Sequence, residues 1–228
     1  MNSLSRRLSE LGTVAVAPSM LAADFTDIRA EIEAVEKSGA DFLHLDVMDG
    51  NFVENITFGP MIVEAIARVS KVPLITHLMI SDPGKYAPEF IKAGSSAISI
   101  HYEAVESGHR ELLEEIRSGG CLAGLAVNPD TSIAEFRDLL DGIDLLLAMT
   151  VFPGFGGQKF MPEVMGKVRE AVAIREAKGL DFVIEVDGGV NPSSADSVRE
   201  AGGQILVAGS AVFGTDDYSG AIASIRGA

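Results

Sequence analysis

Two features of the 228-residue sequence predict an α/β fold, a closed (β/α)8 TIM barrel. The strand-like segments are short, continuous Val/Ile/Leu/Ala runs rather than in–out alternations, the pattern of parallel strands covered on both faces. They alternate strictly with helix-like segments, eight of each, in about the length one barrel needs. A third feature sets the rival open, doubly wound sheet behind: no Gly-x-Gly-x-x-Gly follows the first strand. No Pro/Ser-rich linker or charge block marks a boundary, so residues 1–228 read as one domain, with 1–12 an N-terminal extension.

The elements follow in order. Leu4, Leu8 and Leu11 have helical spacing and predict a short helix packed on the body. Val14–Ala17 is the first strand, ended by Pro18-Ser19. Asp24 or Thr26 can cap a helix running through Ile28, Ile32 and Val35 to Ser38-Gly39. Phe42–Val47 is the second strand, and the Asn/Gly-rich loop 51–59 leads to a helix opened by Pro60. The strand Pro73–Leu78, a helix from Pro83 and the strand Ala97–Ile100 come next. A helix carrying Leu112, Leu113 and Ile116 stops at Gly119-Gly120. The strand Cys121–Val127 and the helix Ile133–Leu140 follow. The strand Leu145–Val151 runs into the Gly-rich stretch 153–158. A long helix over 162–178, the strand Phe182–Val186, the helix Ser193–Ala201, the strand Ile205–Val207 and the helix Tyr218–Ile225 complete the chain.

Composition narrows the function. A formal charge of −15 argues against non-specific binding to nucleic acid or to an acidic membrane. It leaves room for an anionic substrate, because backbone N–H groups can cradle phosphate inside an acidic protein. Cys121 is the single cysteine, so there is no disulfide frame, and a reducing cytoplasm is the expected location. The stretch 1–12 has no apolar run behind Arg6 and Arg7 and reads as neither signal peptide nor membrane span.

In such barrels the chemistry sits where strands end. The polar residues collected there are Ser19; His44, Asp46 and Asp49; His77; His101; Asn128; Glu185 and Asp187; and Ser210. His44 and Asp46 share a strand face, since side chains at i and i+2 point the same way. An imidazole beside a carboxylate is half of a divalent-metal site, or an acid/base pair. Taken singly, each is an ordinary hydrogen-bonded polar residue. Two imidazoles and two carboxylates converging from three strands would make an N2O2 shell suited to Zn, Fe, Mn or Co. Gly154, Gly156 and Gly157, Gly188 and Gly189, and Gly209-Ser210 follow three adjacent strands, where this fold usually cradles phosphate. Met48, Met79 and Met149, at the ends of strands two, three and six, can line an apolar floor, although core filling is the usual role of such residues.

The stretches APSMLAADF (17–25), HLDVMDGNFVENITFGP (44–60), HLMI (77–80), GLAVNP (124–129), MTVFPGFGGQKF (149–160), VDGGVN (186–191) and VAGSAVF (207–213) occur in this order. Together they closely resemble the ribulose-phosphate 3-epimerase family, over nearly all of the chain from Val14 to Phe213. The resemblance implies a barrel of the ribulose-phosphate-binding type and an enzyme of the pentose phosphate pathway. That enzyme interconverts D-ribulose 5-phosphate and D-xylulose 5-phosphate by inverting C3 through an enediolate. It implies one divalent metal ion per subunit held by His44, Asp46, His77 and Asp187. Asp46 and Asp187 would move the proton, one on each face of the sugar carbon. Ser19 and His77 would contact the sugar. Gly154, Phe155, Gly156, Gly157, Gly188, Gly189, Gly209 and Ser210 would hold the phosphate. The implied partner is a small-molecule ketose phosphate, and the family commonly forms dimers or hexamers, so a homo-oligomer is expected.

Some positions depart from the family pattern: Phe152 where a polar residue is usual, Glu54 for Pro, Thr76 before the ligand histidine, and Gly203-Gln204 for Ala-Asp. Phe152 is the nearest to the site and bears on substrate choice. The alternative is epimerisation of another ketose phosphate, such as allulose 6-phosphate. Enzymes of that kind typically lack the second Gly of the Gly-Phe-Gly-Gly run and the Gly-Gly after the acid, and both are intact here. A decarboxylase of the orotidine-phosphate type needs Asp-x-Lys-x-x-Asp, whereas here the run is His44-x-Asp46-x-x-Asp49, without the lysine. A non-catalytic barrel would be expected to have lost some of the four metal and acid residues, and all four are present.

Overall fold

The computed structural model describes residues 6, 8, 10–12 and 14–227. Its centre is one sheet of eight parallel strands: β1 (Ala15–Pro18), β2 (Leu43–Met48), β3 (Leu74–Met79), β4 (Ala97–His101), β5 (Leu122–Val127), β6 (Leu145–Met149), β7 (Val183–Asp187) and β8 (Ile205–Ala208). Each strand from β2 to β8 is hydrogen-bonded to the next, and β8 pairs with β1. The seam between β1 and β2 closes through a parallel Ser19–His44 bridge and a 3.0 Å bond from the Asp41 N–H to the Val16 carbonyl. Asp41 Oδ2 reinforces it by accepting from the Val16 N–H at 2.9 Å and from Arg226 at 2.6 Å. The sheet is therefore a barrel, as its continuous apolar runs predict.

Helices α1 (Ile28–Lys37), α2 (Pro60–Ala67), α3 (Pro83–Lys92), α4 (His109–Ser118), α5 (Ile133–Phe136), α6 (Met165–Lys178) and α7 (Pro192–Ala201) connect the strands, and α8 (Ser210–Phe213) and α9 (Tyr218–Arg226) follow the last of them. Pro60, Pro83 and Pro192 stand at the first helical position, where a missing N–H costs nothing. The strand expected over Leu145–Val151 ends at Met149, and the helix expected over 162–178 opens as a 3-10 turn, Pro162–Val164. Other details also differ from expectation. Asp24 caps a 3-10 turn, Phe25–Asp27, ahead of α1 rather than α1 itself. The helix expected over Ile133–Leu140 ends at Phe136 and tightens into a 3-10 stretch, Arg137–Gly142, whose Asp138 and Gly142 carbonyls accept from Arg110 and Arg117 of α4. The short α8 was not expected, because four residues give too little periodicity to read. Of the leucines expected to form a terminal helix, Leu4 lies outside the described residues. Leu8 is helical and buried against Ala15, Phe42, Ile75 and Ile205 at the bottom of the barrel.

The period of two along each strand separates two cores. Val16, Leu45, Leu78, Ile98, Leu125 and Val186 face the helices in the outer core. Thr76 joins that layer, fully buried and 2.7 Å from Ser95 Oγ. Their neighbours Ala15, Ala17, Ile75, Ala97, Leu145, Val183, Ile205 and Val207 fill the barrel interior from below. At ~25 cal/mol per Å2 of buried apolar surface, these two layers dominate stability. Above the lower layer the inward residues change from apolar to polar: Ser19, His44, Asp46, His77, Ser99, His101 and Glu185 are all buried. An apolar plug supports a buried polar layer, and that layer is where the chemistry can be.

Candidate active site and metal centre

His44 is the second residue of β2, not its end, so its ring lies deep in the barrel and Asp46 stands one inward position nearer the mouth. Register sets Asp46 beside His77 on β3, and β7 ends on Asp187. One donor atom from each of His44, Asp46, His77 and Asp187 can be chosen so that all lie within 4.8 Å of one another. His44 Nε2 is 3.3 Å from Asp46 Oδ1 and 3.9 Å from Asp187 Oδ2. His77 Nδ1 is 3.2 Å and 3.9 Å from the same two atoms.

The donor set fits a divalent cation. His44 Nδ1–H donates to Glu185 Oε1 at 3.1 Å, because a carboxylate only accepts. Its Nε2 is thereby turned into the cluster, where it is buried without a hydrogen-bond partner among the described residues and, in the neutral ring, presents its lone pair. A buried polar atom left unpaired is costly, and a cation at the centre would satisfy it. Two imidazole nitrogens and two carboxylates are the ligands of a borderline transition metal rather than of Ca or Mg.

Charge is unevenly shared. Burial alone would raise the Asp46 pKa, but His44 and His77 beside it hold it well below the ordinary carboxylate range. Burial, joined by the charge of Asp46, pushes Asp187 up to about 7. Burial also lowers His77, to about 4, whereas Asp46 and Glu185 overcome the same effect at His44 and raise it well above 6.5. Thus, before a cation binds, two carboxylates in one site have their affinities for a proton driven apart.

Above the cluster is a cavity of about 390 Å3. Asp46 and Asp187 form part of its floor with Met48, Met79 and Met149, while His44 and His77 lie wholly buried and do not line it. Ser19 lines it too and donates to Asp46 Oδ2 at 2.5 Å. Gly154, Phe155, Gly156, Gly157, Gly188, Gly189, Gly209 and Ser210, from the loops after β6, β7 and β8, form one wall. Gly188 and Gly189 have φ of +119° and +66°, and a Cβ on Gly189 would lie 2.5 Å from the Phe160 nitrogen. Only glycine lets the 158–160 segment lie this close. On the other side, Asn55 of the loop after β2 donates its Nδ2–H to the Gly154 carbonyl at 3.0 Å and also lines the cavity. Phe152 is half-exposed and outside the lining.

Glu185 and His101 stand among the strand-end polar residues with no partner evident from sequence. The structure pairs Glu185 with His44, and His101 Nε2 with His77 Nε2 at 2.8 Å. The available signal was the i, i+2 spacing of Glu185 from Asp187, which puts both inside the barrel; His101 has none, since register sets Ser99 beside His77 and the His101 ring reaches it from two residues further along β4. Asp49 is used structurally, accepting from the N–H groups of Asn51, Phe52 and Ser81. Cys121 is buried beside β5, and burial pushes its thiol up to about 12, away from reactivity.

Residues 15–213 match the model of the ribulose-phosphate 3 epimerase family. The chain is 50% identical to "Ribulose-phosphate 3-epimerase" of Bacillus subtilis over 94% of its own length and 99% of that protein. It is 49% identical to the protein of the same name from Synechocystis, over 93% of each. Among solved structures, a mutant tryptophan synthase alpha-subunit from Pyrococcus furiosus superposes with a TM-score of 0.70 at 14% identity, covering 95% of this chain and 98% of that one. At that identity the likeness is one of fold.

Proposed function

The chain belongs to the ribulose-phosphate 3-epimerase family, and we propose that it interconverts D-ribulose 5-phosphate and D-xylulose 5-phosphate by removing and returning the proton on C3. The observation that carries this reading is the pair Asp46 and Asp187, two carboxylates on one cavity floor with proton affinities driven in opposite directions. Inversion needs a base on one face of the carbon and an acid on the other. Strands β1 and β8 stand between β2 and β7, so the two carboxylates approach the floor from separate strands. In the cation-free site the pair is already unequal, Asp46 held ionised and Asp187 keeping its proton up to about 7; a bound cation would lower both, so one carboxylate accepts the proton from one face while the other returns it from the opposite face. The same pair with exchanged roles serves the reverse direction.

His44, Asp46, His77 and Asp187 would hold one divalent ion, Zn, Fe, Mn or Co, which supplies Lewis acidity at the sugar oxygens where enediolate charge develops. The remaining roles belong to the chain itself. Ser19 orients Asp46 through its hydroxyl. The methionine floor keeps water from the reacting carbon. The glycine wall after β6, β7 and β8 offers the close backbone approach that a phosphate requires. The wholly buried His77 serves as a ligand, and because it does not line the cavity its expected contact with the sugar is not part of the proposal. Among the described residues no helix is long and apolar enough to cross a membrane. A cytoplasmic, self-associating enzyme, with neither nucleic acid nor membrane as partner, completes the proposal.

A coupled assay offering ribulose 5-phosphate and allulose 6-phosphate in parallel tests it. Turnover of ribulose 5-phosphate, lost on chelation and restored by a divalent metal, is expected. Preferential turnover of the hexulose phosphate, or full activity after chelation, would sink the substrate or the metal reading respectively.

A further inference from the structure

The outer edge of the cluster carries a second histidine–carboxylate chain. His77 Nε2 faces His101 Nε2 at 2.8 Å, and His101 Nδ1 faces Glu103 Oε2 at 3.0 Å. Glu103 is itself fixed: its Oε1 accepts from the Asn128 N–H at 2.8 Å and from the Thr131 hydroxyl. His101 is fully buried, and the Phe52 ring packs on it with centroids 4.8 Å apart.

We propose that His101 and Glu103 are positioning residues that select the proton arrangement of His77 and so make its Nδ1 a metal donor; this rests on the metal reading above. A neutral imidazole has one N–H, so two Nε2 atoms in contact need one donor and one acceptor. Glu103 only accepts, which places the His101 proton on Nδ1 and leaves its Nε2 as acceptor. In the metal-loaded site His77 then donates from Nε2 and turns its Nδ1 lone pair to the cation; without a cation the 3.2 Å contact of Nδ1 with Asp46 Oδ1 draws the proton the other way, because a carboxylate only accepts. In the opposite arrangement His101 would donate from Nε2, the His77 proton would move to Nδ1, and the cation would lose a ligand. Glu185 performs the corresponding service for His44 directly. The two ligand histidines are thus oriented by outer carboxylates, Glu185 of β7 at first hand and Glu103, in the 3-10 turn after β4, through a histidine.

The chain has four histidines, so their ring nitrogens can be resolved in a 15N-labelled, zinc-loaded protein. The expected spectrum has His101 protonated on Nδ1 and bare on Nε2, with His77 bound through Nδ1. Zinc affinity, measured by chelator competition, is expected to fall about 10- to 100-fold in His101→Leu and to recover in part in His101→Gln, whose amide oxygen can accept from His77. Circular dichroism reports whether each variant folds, and the wild-type spectrum decides the proton placement if a variant does not. A His101 proton on Nε2, or wild-type affinity in folded His101→Leu, would overturn the relay alone. A wild-type protein that binds no divalent metal would instead overturn the metal reading on which it stands.

Discussion

Ser19 Oγ donates to Asp46 Oδ2 at 2.5 Å, across the seam that closes the barrel between β1 and β2. Closure and chemistry therefore share a bond. A hydrogen bond to the ionised form favours that form. Ser19→Ala is expected to cost roughly 1.5–3 kcal/mol and to raise the Asp46 pKa. Asp46 lies below its ordinary value, so its contribution to stability is present above about 3.8 and lost as the pH falls. Acid unfolding of the metal-free variant should therefore begin at higher pH than in the wild type. Equal midpoints would show that the bond does not support Asp46.

Asp187 gives the opposite pH signature. Its folded-state pKa, about 7, lies above the ordinary value of 3.8. The folded state binds this proton more tightly, so the associated stability is full below 3.8 and is lost as pH rises through 7. In the metal-free protein Asp187→Asn should remove that loss and be more stable than wild type at pH 8, with little difference at pH 4. Urea titrations at the two pH values measure it. A variant less stable than wild type at pH 8 would show that ionised Asp187 is not under strain there.

Gly189 tests the cradle. With φ of +66° and the Phe160 nitrogen 2.5 Å from any Cβ, Gly189→Ala must displace the 158–160 backbone. The left-handed conformation alone costs about 1–2 kcal/mol for a non-glycine residue. KM for the sugar phosphate is expected to rise roughly tenfold or more, with a smaller change in kcat, because the displaced segment belongs to the wall proposed to hold the phosphate and carries neither of the two carboxylates. Steady-state kinetics decide it, and an unchanged KM would remove this wall from phosphate binding.

Much of this architecture was legible in the chain because it rests on local rules. Continuous apolar runs mark strands buried on both faces, and the i, i+2 rule places His44 beside Asp46 before any coordinates exist. What was not legible depends on register and depth. His44 read as a strand-end residue but is the second residue of β2, which puts it a layer below the cavity rather than in its lining. His101 and Glu103 acquire a role only when β4 packs beside β3 and the His101 ring, two residues beyond the Ser99 that pairs with His77, reaches across to it. No spacing within one strand encodes that contact. The 3-10 stretch after Phe136 likewise depends on arginines from α4, remote in sequence.

The central claim is that Asp46 and Asp187 move the C3 proton between them. Its most direct test is deuterium incorporation at C3 of the sugar phosphate in D2O, followed for the metal-loaded wild type, Asp46→Asn and Asp187→Asn. The wild type should incorporate solvent deuterium as it turns over. Each variant should lose incorporation by about 10²- to 10⁴-fold, the range a positioned acid or base contributes, while its circular dichroism remains that of the folded barrel. Wild-type incorporation rates in either folded variant would contradict the two-carboxylate account.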